Sequence, residues 1–261
     1  MRILMVGDVV GKPGRQVLNK YLTRIVADYQ IDFVIANGEN AAGGNGLTRS
    51  VAEELFSYGV DVITMGNHVW DKKELVDYID LEPRIIRPAN YPPGTPGRGY
   101  GIFEVAGGDR LAVINLAGRV YMESLDCPFR CVKEVLKNTM HSTINTIVDF
   151  HAEATSEKGA MGYWLDGQVS AVCGTHTHVQ TADARILPKG TAFVTDVGMT
   201  GPLHSVLGID PELIVDKFIT QMPVKFQLAK GPVQFNGAVI EINSVNGLAR
   251  SIESINLPIE D

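Results

Sequence analysis

The chain has 261 residues, a net charge of −7, 45% hydrophobic residues and 20% charged ones. That length allows one large α/β domain or two small ones, and the apolar content suffices for a sizeable core and argues against a disordered chain. The acidic balance argues against a protein held on long nucleic acid or an anionic membrane by bulk charge, and leaves room for a small nucleotide at a cationic metal site.

The first third alternates strand and helix. Ile3–Gly7 reads as a buried strand, rich in branched apolar residues and closed by glycine. A helical period follows over Gln16–Asp28, with Val17, Leu18, Tyr21, Leu22, Ile25 and Val26 on one face. A second strand, Phe33–Gly38, precedes a helix over Arg49–Tyr58, where Ser50 and Glu53 have capping-box spacing and Gly59 marks the stop. The third strand, Val60–Gly66, precedes a helix over Asp71–Tyr78, with Asp71 and Glu74 at the same spacing.

Tyr91–Gly101 holds three Pro and four Gly and reads as a loop. Strands over Ile102–Val105 and Leu111–Leu116 flank the Gly107-Gly108-Asp109 turn. A helix is expected over Pro128–Met140, with Asp126 near its cap and Pro128 in its first turn. Ile144–Phe150 and Val169–Gly174 are further apolar strands, and the tail reads as β over Val224–Leu228, Gln234–Ile242 and Leu248–Ile255. The fold class is therefore α/β, with two mixed sheets packed face to face, helices outside, and one domain over 1–261. No apolar run approaches the roughly 18 residues of a membrane span, and the run before Gly7 is too short for a signal peptide. Cys127, Cys131 and Cys173, without a secretory signal, read as reduced thiols of a cytoplasmic protein.

Each of the five long apolar strands stops at metal-ligand residue types: Asp8; Glu39-Asn40; Asn67-His68; His151; and His176-Thr177-His178. In open α/β sheets the site lies at the carboxyl ends of the strands. Five loops then converge on one rim with an Asp, a Glu, two Asn and four His, enough donors for two metal ions. In an extended loop His176 and His178, two apart, point the same way. Asn67 offers a neutral hard oxygen, whereas His68 reads as a ligand or an acid–base group. Asp8 and Glu39 each follow a glycine, on loops whose next helix is delayed by Pro13-Gly14 or by Gly43-Gly44-Asn45-Gly46. Helix capping is thus a weak account of either carboxylate, and a carboxylate between two cations can bridge them. His141 and His204 fit this rim less well.

Three other patterns fail. Gly7–Pro13 imitates a phosphate loop but has three residues between its glycines, and Pro13 replaces the Ser or Thr. Cys127 and Cys131 lack a second cysteine pair for zinc and read as core thiols. No Gly-x-Ser-x-Gly nucleophile elbow occurs.

The order Asp8, Gly38-Glu39-Asn40, Gly66-Asn67-His68, His151 and Gly174-Thr175-His176-Thr177-His178 resembles the calcineurin-like metallophosphoesterase superfamily. Gly7–Gly11, Asn37–Gly44 and Asp149–Lys158 narrow the resemblance to its bacterial YmdB-like branch, which hydrolyses 2′,3′-cyclic nucleotides. The chain departs from the wider superfamily at Val10, where a histidine is usual, at Glu39, where the bridge is usually Asp, and at Val69, where Glu is common. The resemblance implies that Asp8, Glu39, Asn40 and His178 hold one metal, and that Glu39, Asn67, His151 and His176 hold the other. It leaves His68 free to act on substrate. Nitrogen and oxygen donors without thiolate suit iron, the first expectation, or manganese or zinc. The expected reaction is in-line hydrolysis of small cyclic nucleotides by water activated between two metals. Alternatives are a phosphomonoesterase or short-RNA nuclease at the same site, or a non-catalytic regulator that binds metal and nucleotide. The resemblance also implies a homo-oligomer.

Overall fold

The computed structural model describes residues 1–259, so the last two residues of the expected 1–261 domain lie outside it. In chain order the elements are β1 (Arg2–Val6), β2 (Asp8–Val9), α1 (Gly11–Tyr29), β3 (Phe33–Asn37), α2 (Arg49–Ser57), β4 (Val62–Thr64), α3 (Lys73–Tyr78) and β5 (Ile85–Ile86). Then come β6 (Tyr100–Glu104), β7 (Arg110–Ala117), α4 (Pro128–Thr139), β8 (Thr146–His151), α5 (Thr155–Leu165), β9 (Ala171–Thr175), β10 (Arg185–Ile186) and β11 (Ala192–Val194). The chain closes with β12 (Met199–Pro202), α6 (Pro211–Thr220), β13 (Val233–Asn243) and β14 (Leu248–Ile259).

An eight-stranded sheet runs β2-β12-β13-β1-β3-β4-β5, with β14 paired to β13, and a six-stranded sheet runs β10-β11-β9-β8-β7-β6. The central strands β1, β3 and β4 are parallel, as are β7, β8, β9 and β11. Alternation along each strand builds three layers of core. Ile3, Met5, Ile35 and Val62 face Val113, Ile147, Ala171 and Val194 between the sheets. Leu4, Val6, Val34 and Ile63 pack outward on Val17, Leu22 and Leu55 of α1 and α2. Ile114, Val148, Phe150 and Val172 pack outward on Val132, Met161 and Leu165 of α4 and α5. Strands covered on both faces read as unbroken apolar runs, which is the pattern in the sequence. Their parallel direction brings five carboxyl ends to one rim.

Several expected boundaries move. α1 begins at Gly11 instead of Gln16, because Pro13 fits a first helical turn and Gly14 lets the helix press on the Thr200 carbonyl, where a Cβ would collide. Thr48 caps α2 in place of Ser50, its hydroxyl accepting the Val51 N–H at 3.3 Å. α3 has no side-chain cap, and Asp71 bonds instead to His68 and Asn45. Cys127 stands at the cap of α4, next to Asp126 and with Pro128 in the first turn, as expected. Val224–Leu228 is not a strand; Leu228 makes only an isolated bridge to Ile209, and Pro223 and the exposed residues around it form no ladder. Two helices went unpredicted. α5 hides its period behind Gly159 and Gly162, and α6 has Asp210 as cap but buries none of its residues. No helix among the described residues is long and apolar enough to cross a membrane.

Candidate metal centre

Three donor atoms gather around a fourth, Nε2 of His151 at the end of β8. This Nε2 lies 3.0 Å from Glu39 Oε1, 3.0 Å from Asn67 Oδ1 and 3.0 Å from His176 Nδ1. Ligand atoms about 2.1 Å from one ion and at right angles to each other stand about 3.0 Å apart, so this spacing suits a shared cation. A second group shares Glu39. Asn40 Nδ2 lies 3.3 Å from Glu39 Oε1 and 3.1 Å from His178 Nε2, and His178 Nε2 lies 3.7 Å from Asp8 Oδ1. As oriented, Asn40 turns its amide nitrogen to this group; a half-turn of the amide presents Oδ1.

The chemistry of the donor set fits metal. Asp8 is fully buried, and its Oδ1 has no hydrogen-bond partner, whereas Oδ2 accepts the His176 N–H at 3.2 Å. A buried carboxylate oxygen without a proton donor is costly unless a cation faces it. Burial raises the Asp8 pKa, and His178 and His151 oppose it. Burial also works against charge on His151, but Glu39 and Asp8 outweigh it and push this imidazole up to about 9. Burial would raise Glu39, yet His151 holds it down to about 2. Burial and the neighbouring His151 press His176 down to about 3, which keeps it a neutral donor. The carboxylates thus demand positive charge at the centre of the cluster.

Outer contacts decide which ring nitrogen faces inward. His151 Nδ1 meets Thr175 Oγ1 at 2.9 Å, and that hydroxyl donates to buried Asp149 Oδ1 at 2.7 Å. His176 Nε2 meets Glu153 Oε2 at 3.2 Å, which leaves Nδ1 for the cluster. His178 Nδ1 donates to the Leu207 carbonyl at 3.1 Å, which leaves Nε2 inward. Such partners fix tautomers and raise ligand basicity. Asn37 at the end of β3 accepts the Glu39 N–H at 3.1 Å and donates to Asp149 Oδ2 at 3.3 Å. Gly66, at the end of β4, passes so close that any Cβ would strike Glu39 Oε2 and the His151 ring.

One local expectation fails. The His176-Thr177-His178 loop is not extended: His176 has φ 97° and His178 φ 62°. Both histidines reach the cluster through this unusual backbone, which Asp196 clamps by accepting Thr177 N–H at 3.1 Å and Thr177 Oγ1–H at 2.6 Å. Lys158 donates to the same Asp196 oxygen at 2.6 Å, with both side chains buried. The Asn67-His68 segment is likewise a turn, closed by Val69 N–H to the Gly66 carbonyl at 3.3 Å. The two side chains still diverge: Asn67 Oδ1 joins the cluster, and half-exposed His68 pairs through Nδ1 with Asp71 Oδ2 at 2.9 Å. His68 lines one cleft with Glu39, Asn40, His176 and His178. All eight expected residues therefore lie on this rim. Sequence reasoning missed Glu153, Thr175, Asp149, Asp71, Asp196 and Lys158; of these, a charge inside the apolar run at Asp149 was the visible signal.

Two mixed sheets face to face, with this oxygen and nitrogen set at their common rim, define a metallophosphoesterase. The chain belongs to the YmdB-like family, whose model matches residues 4–255. It is 52% identical over 255 residues to the Bacillus subtilis (strain 168) protein named 2′,3′-cyclic-nucleotide 2′-phosphodiesterase, covering 98% of this chain and 96% of that protein. A Thermus thermophilus structure described as a hypothetical protein matches with a TM-score of 0.93 at 42% identity, covering 99% of this chain and 100% of that one. A Mycoplasma pneumoniae structure described as a novel phosphatase matches with a TM-score of 0.93 at 36% identity, covering 100% of this chain and 94% of that one.

Proposed function

We propose that this phosphoric ester hydrolase acts on small cyclic nucleotides, chiefly 2′,3′-cyclic ones, at a dinuclear metal site. The observation that carries the dinuclear reading is the buried Asp8 Oδ1, which has no hydrogen-bond partner and belongs to the second of two donor groups that share Glu39. Asp8, Glu39, Asn40 and His178 would hold one ion, and Glu39, Asn67, His151 and His176 the other. Iron is the metal proposed, with manganese or zinc as substitutes the same donors accept. Two cations there would supply an activated water at neutral pH and charge for the phosphoryl oxygens.

The remaining chemistry falls to the chain itself. His68 lines one cleft with the donor residues Glu39, Asn40, His176 and His178, so it borders the place where a phosphate over those donors would sit. His68, oriented by Asp71, then protonates the departing sugar oxygen or hydrogen-bonds the phosphoryl group. The substrate class is supported by the name of the Bacillus subtilis relative. A second reading, phosphomonoester hydrolysis, is supported by the description of the Mycoplasma pneumoniae structure. A steady-state comparison of 2′,3′-cyclic AMP, an aryl phosphomonoester and a short RNA, with manganese or ferrous iron supplied, tests the proposal. The cyclic nucleotide should have the highest kcat/KM; preference for the monoester or the RNA overturns this substrate assignment. A chain that binds 2′,3′-cyclic AMP without turnover would instead be a regulator.

The proposal extends to a single-domain, cytoplasmic homo-oligomer. The three free cysteines support a reducing compartment. Exposed Val215, Phe218 and Ile219 on α6 support self-association, which sedimentation velocity would test.

A further inference from the structure

The loop between β7 and α4 is tightly held at its root and open at its tip. Gly118 N–H donates to the carbonyl of His151 at 2.8 Å, which ties the loop to the donor strand itself. Arg119 N–H and Val120 N–H both donate to the buried Glu157 carboxylate, at 3.1 and 3.2 Å to Oε2. At its other end, Asp126 N–H donates to the Asn90 carbonyl at 3.1 Å, and Asn90 Nδ2 donates to the Asp126 carbonyl at 3.0 Å. Tyr91 OH meets Glu123 Oε2 at 3.4 Å, and Tyr91 rests edge-on against Trp70, two residues beyond His68.

Tyr121 stands at the tip. It is 90% exposed and has φ 61°, in the left-handed region. A bulky non-glycine residue in that region is an outlier, and such strain persists only where surrounding structure imposes it. Here the pinned root imposes it, yet the ring, being exposed, gains almost no packing within the chain. Tyr121 does have a neighbour of another kind. With Met122 and Glu123 it lines a cleft of about 340 Å³ together with Asn67 and His176, two of the donor residues. That volume lies at the small end of ligand clefts, ~300–1,000 Å³, and suits one nucleoside better than a nucleic-acid strand. A phosphate held over Asn67 and His176 would have Tyr121 in the same cleft.

We propose that Tyr121 is the base-stacking platform of the substrate site: a specificity-determining residue that binds the nucleobase of a mononucleotide while its phosphate lies over the donor cluster. The inference rests on the phosphodiesterase reading above and adds the residue that distinguishes a nucleotide from any other phosphodiester. Aromatic stacking is tolerant of base identity, so the platform accepts all four bases and favours the larger purines.

Metal-loaded wild type and the variants Tyr121→Ala and Tyr121→Phe test it with two substrates, 2′,3′-cyclic AMP and glycerol 1,2-cyclic phosphate, which lacks a base. Tyr121→Ala should raise KM for the nucleotide by roughly 5- to 150-fold, the range of one base–aromatic stack, with kcat within about twofold. It should leave the glycerol ester unchanged, and Tyr121→Phe should behave as wild type. Alanine at this φ is no more strained than tyrosine, so folding is kept. Equal losses on both substrates, or an unchanged nucleotide KM, overturn the inference. An arm independent of turnover is calorimetric binding of adenosine 3′-monophosphate. If wild type hydrolyses neither ester but binds this nucleotide more tightly than Tyr121→Ala, the stacking role stands and the phosphodiesterase reading fails. Equal binding by both proteins, or none by wild type, overturns the stacking role whatever the turnover.

Discussion

His151 Nδ1 and Thr175 Oγ1 stand 2.9 Å apart at the adjoining ends of β8 and β9. Because the Thr175 hydroxyl donates to Asp149, it accepts from His151, which holds the ring with Nε2 facing Glu39, Asn67 and His176. Thr175→Val keeps the shape and removes the acceptor. Metal affinity should fall by about 10- to 100-fold, the usual worth of such an outer partner. Thr175→Ser should restore most of it. Equal metal titration curves for wild type and Thr175→Val would show that the relay does not orient His151.

Glu39 is the residue common to both donor groups. Wild type should hold close to two transition-metal ions per chain, and Glu39→Ala should disturb both, as elemental analysis can measure. Thermal unfolding gives a second readout. Metal at about a thousand times its Kd adds about 4 kcal/mol. At roughly 2–4 °C per kcal/mol for chains near this size, chelation should lower Tm by roughly 8–16 °C. Chelation should barely move the Tm of Glu39→Ala. One ion retained normally in that variant would mean that Glu39 is not shared.

What could be read from the sequence follows from how locally each feature is encoded. Buried parallel strands such as Phe33–Asn37 and Ala171–Thr175 announce themselves as apolar runs, and the ligand residue types follow each run directly. The rim and all eight of its expected residues were therefore visible. The partners that orient those residues were not, because each comes from another element. Glu153 reaches His176 from the turn before α5, and Asp196 reaches Thr177 from the loop after β11. The backbone of His176 and His178 was misread for the same reason: their left-handed conformations are imposed by Asp196 and Lys158, 18 or more positions away in sequence. Gly14 looked like a helix breaker until its contact with the Thr200 carbonyl explained it.

Lys158 and Asp196 form an ion pair at 2.6 Å, with Lys158 only 1% exposed. Removing one partner of a buried pair leaves a charge uncompensated and costs about 3–5 kcal/mol. Lys158→Met should therefore lower Tm by roughly 6–20 °C. Because Asp196 also clamps Thr177 between two donor histidines, metal content should fall with it. Unfolding and metal analysis on the same sample check both effects. A Tm within about 2 °C of wild type, less than 1 kcal/mol is worth, would remove the pair from any structural role.

Asn67 and His68 are adjacent in sequence yet face different partners. Asn67 Oδ1 stands 3.0 Å from His151 Nε2, inside the donor cluster, whereas His68 Nδ1 pairs with Asp71 at 2.9 Å. The backbone of His68 is part of the cluster, since its N–H donates to Glu39 Oε2 at 3.1 Å, but that bond survives any side-chain change. Replacing Asn67 with Ala should lower metal content and turnover together. Replacing His68 with Ala should leave metal content near normal and cut turnover by roughly 10²–10⁴-fold, the usual contribution of a positioned acid or base. The loss should shrink for a nitrophenolate ester, whose leaving group needs no proton. Asp71→Asn should give a smaller loss of the same kind, because His68 keeps its chemistry and loses only its orienting partner. Metal analysis and steady-state rates on the two alanine variants separate the roles. Loss of an ion from His68→Ala would make His68 a ligand and remove the proton donor from the proposed mechanism.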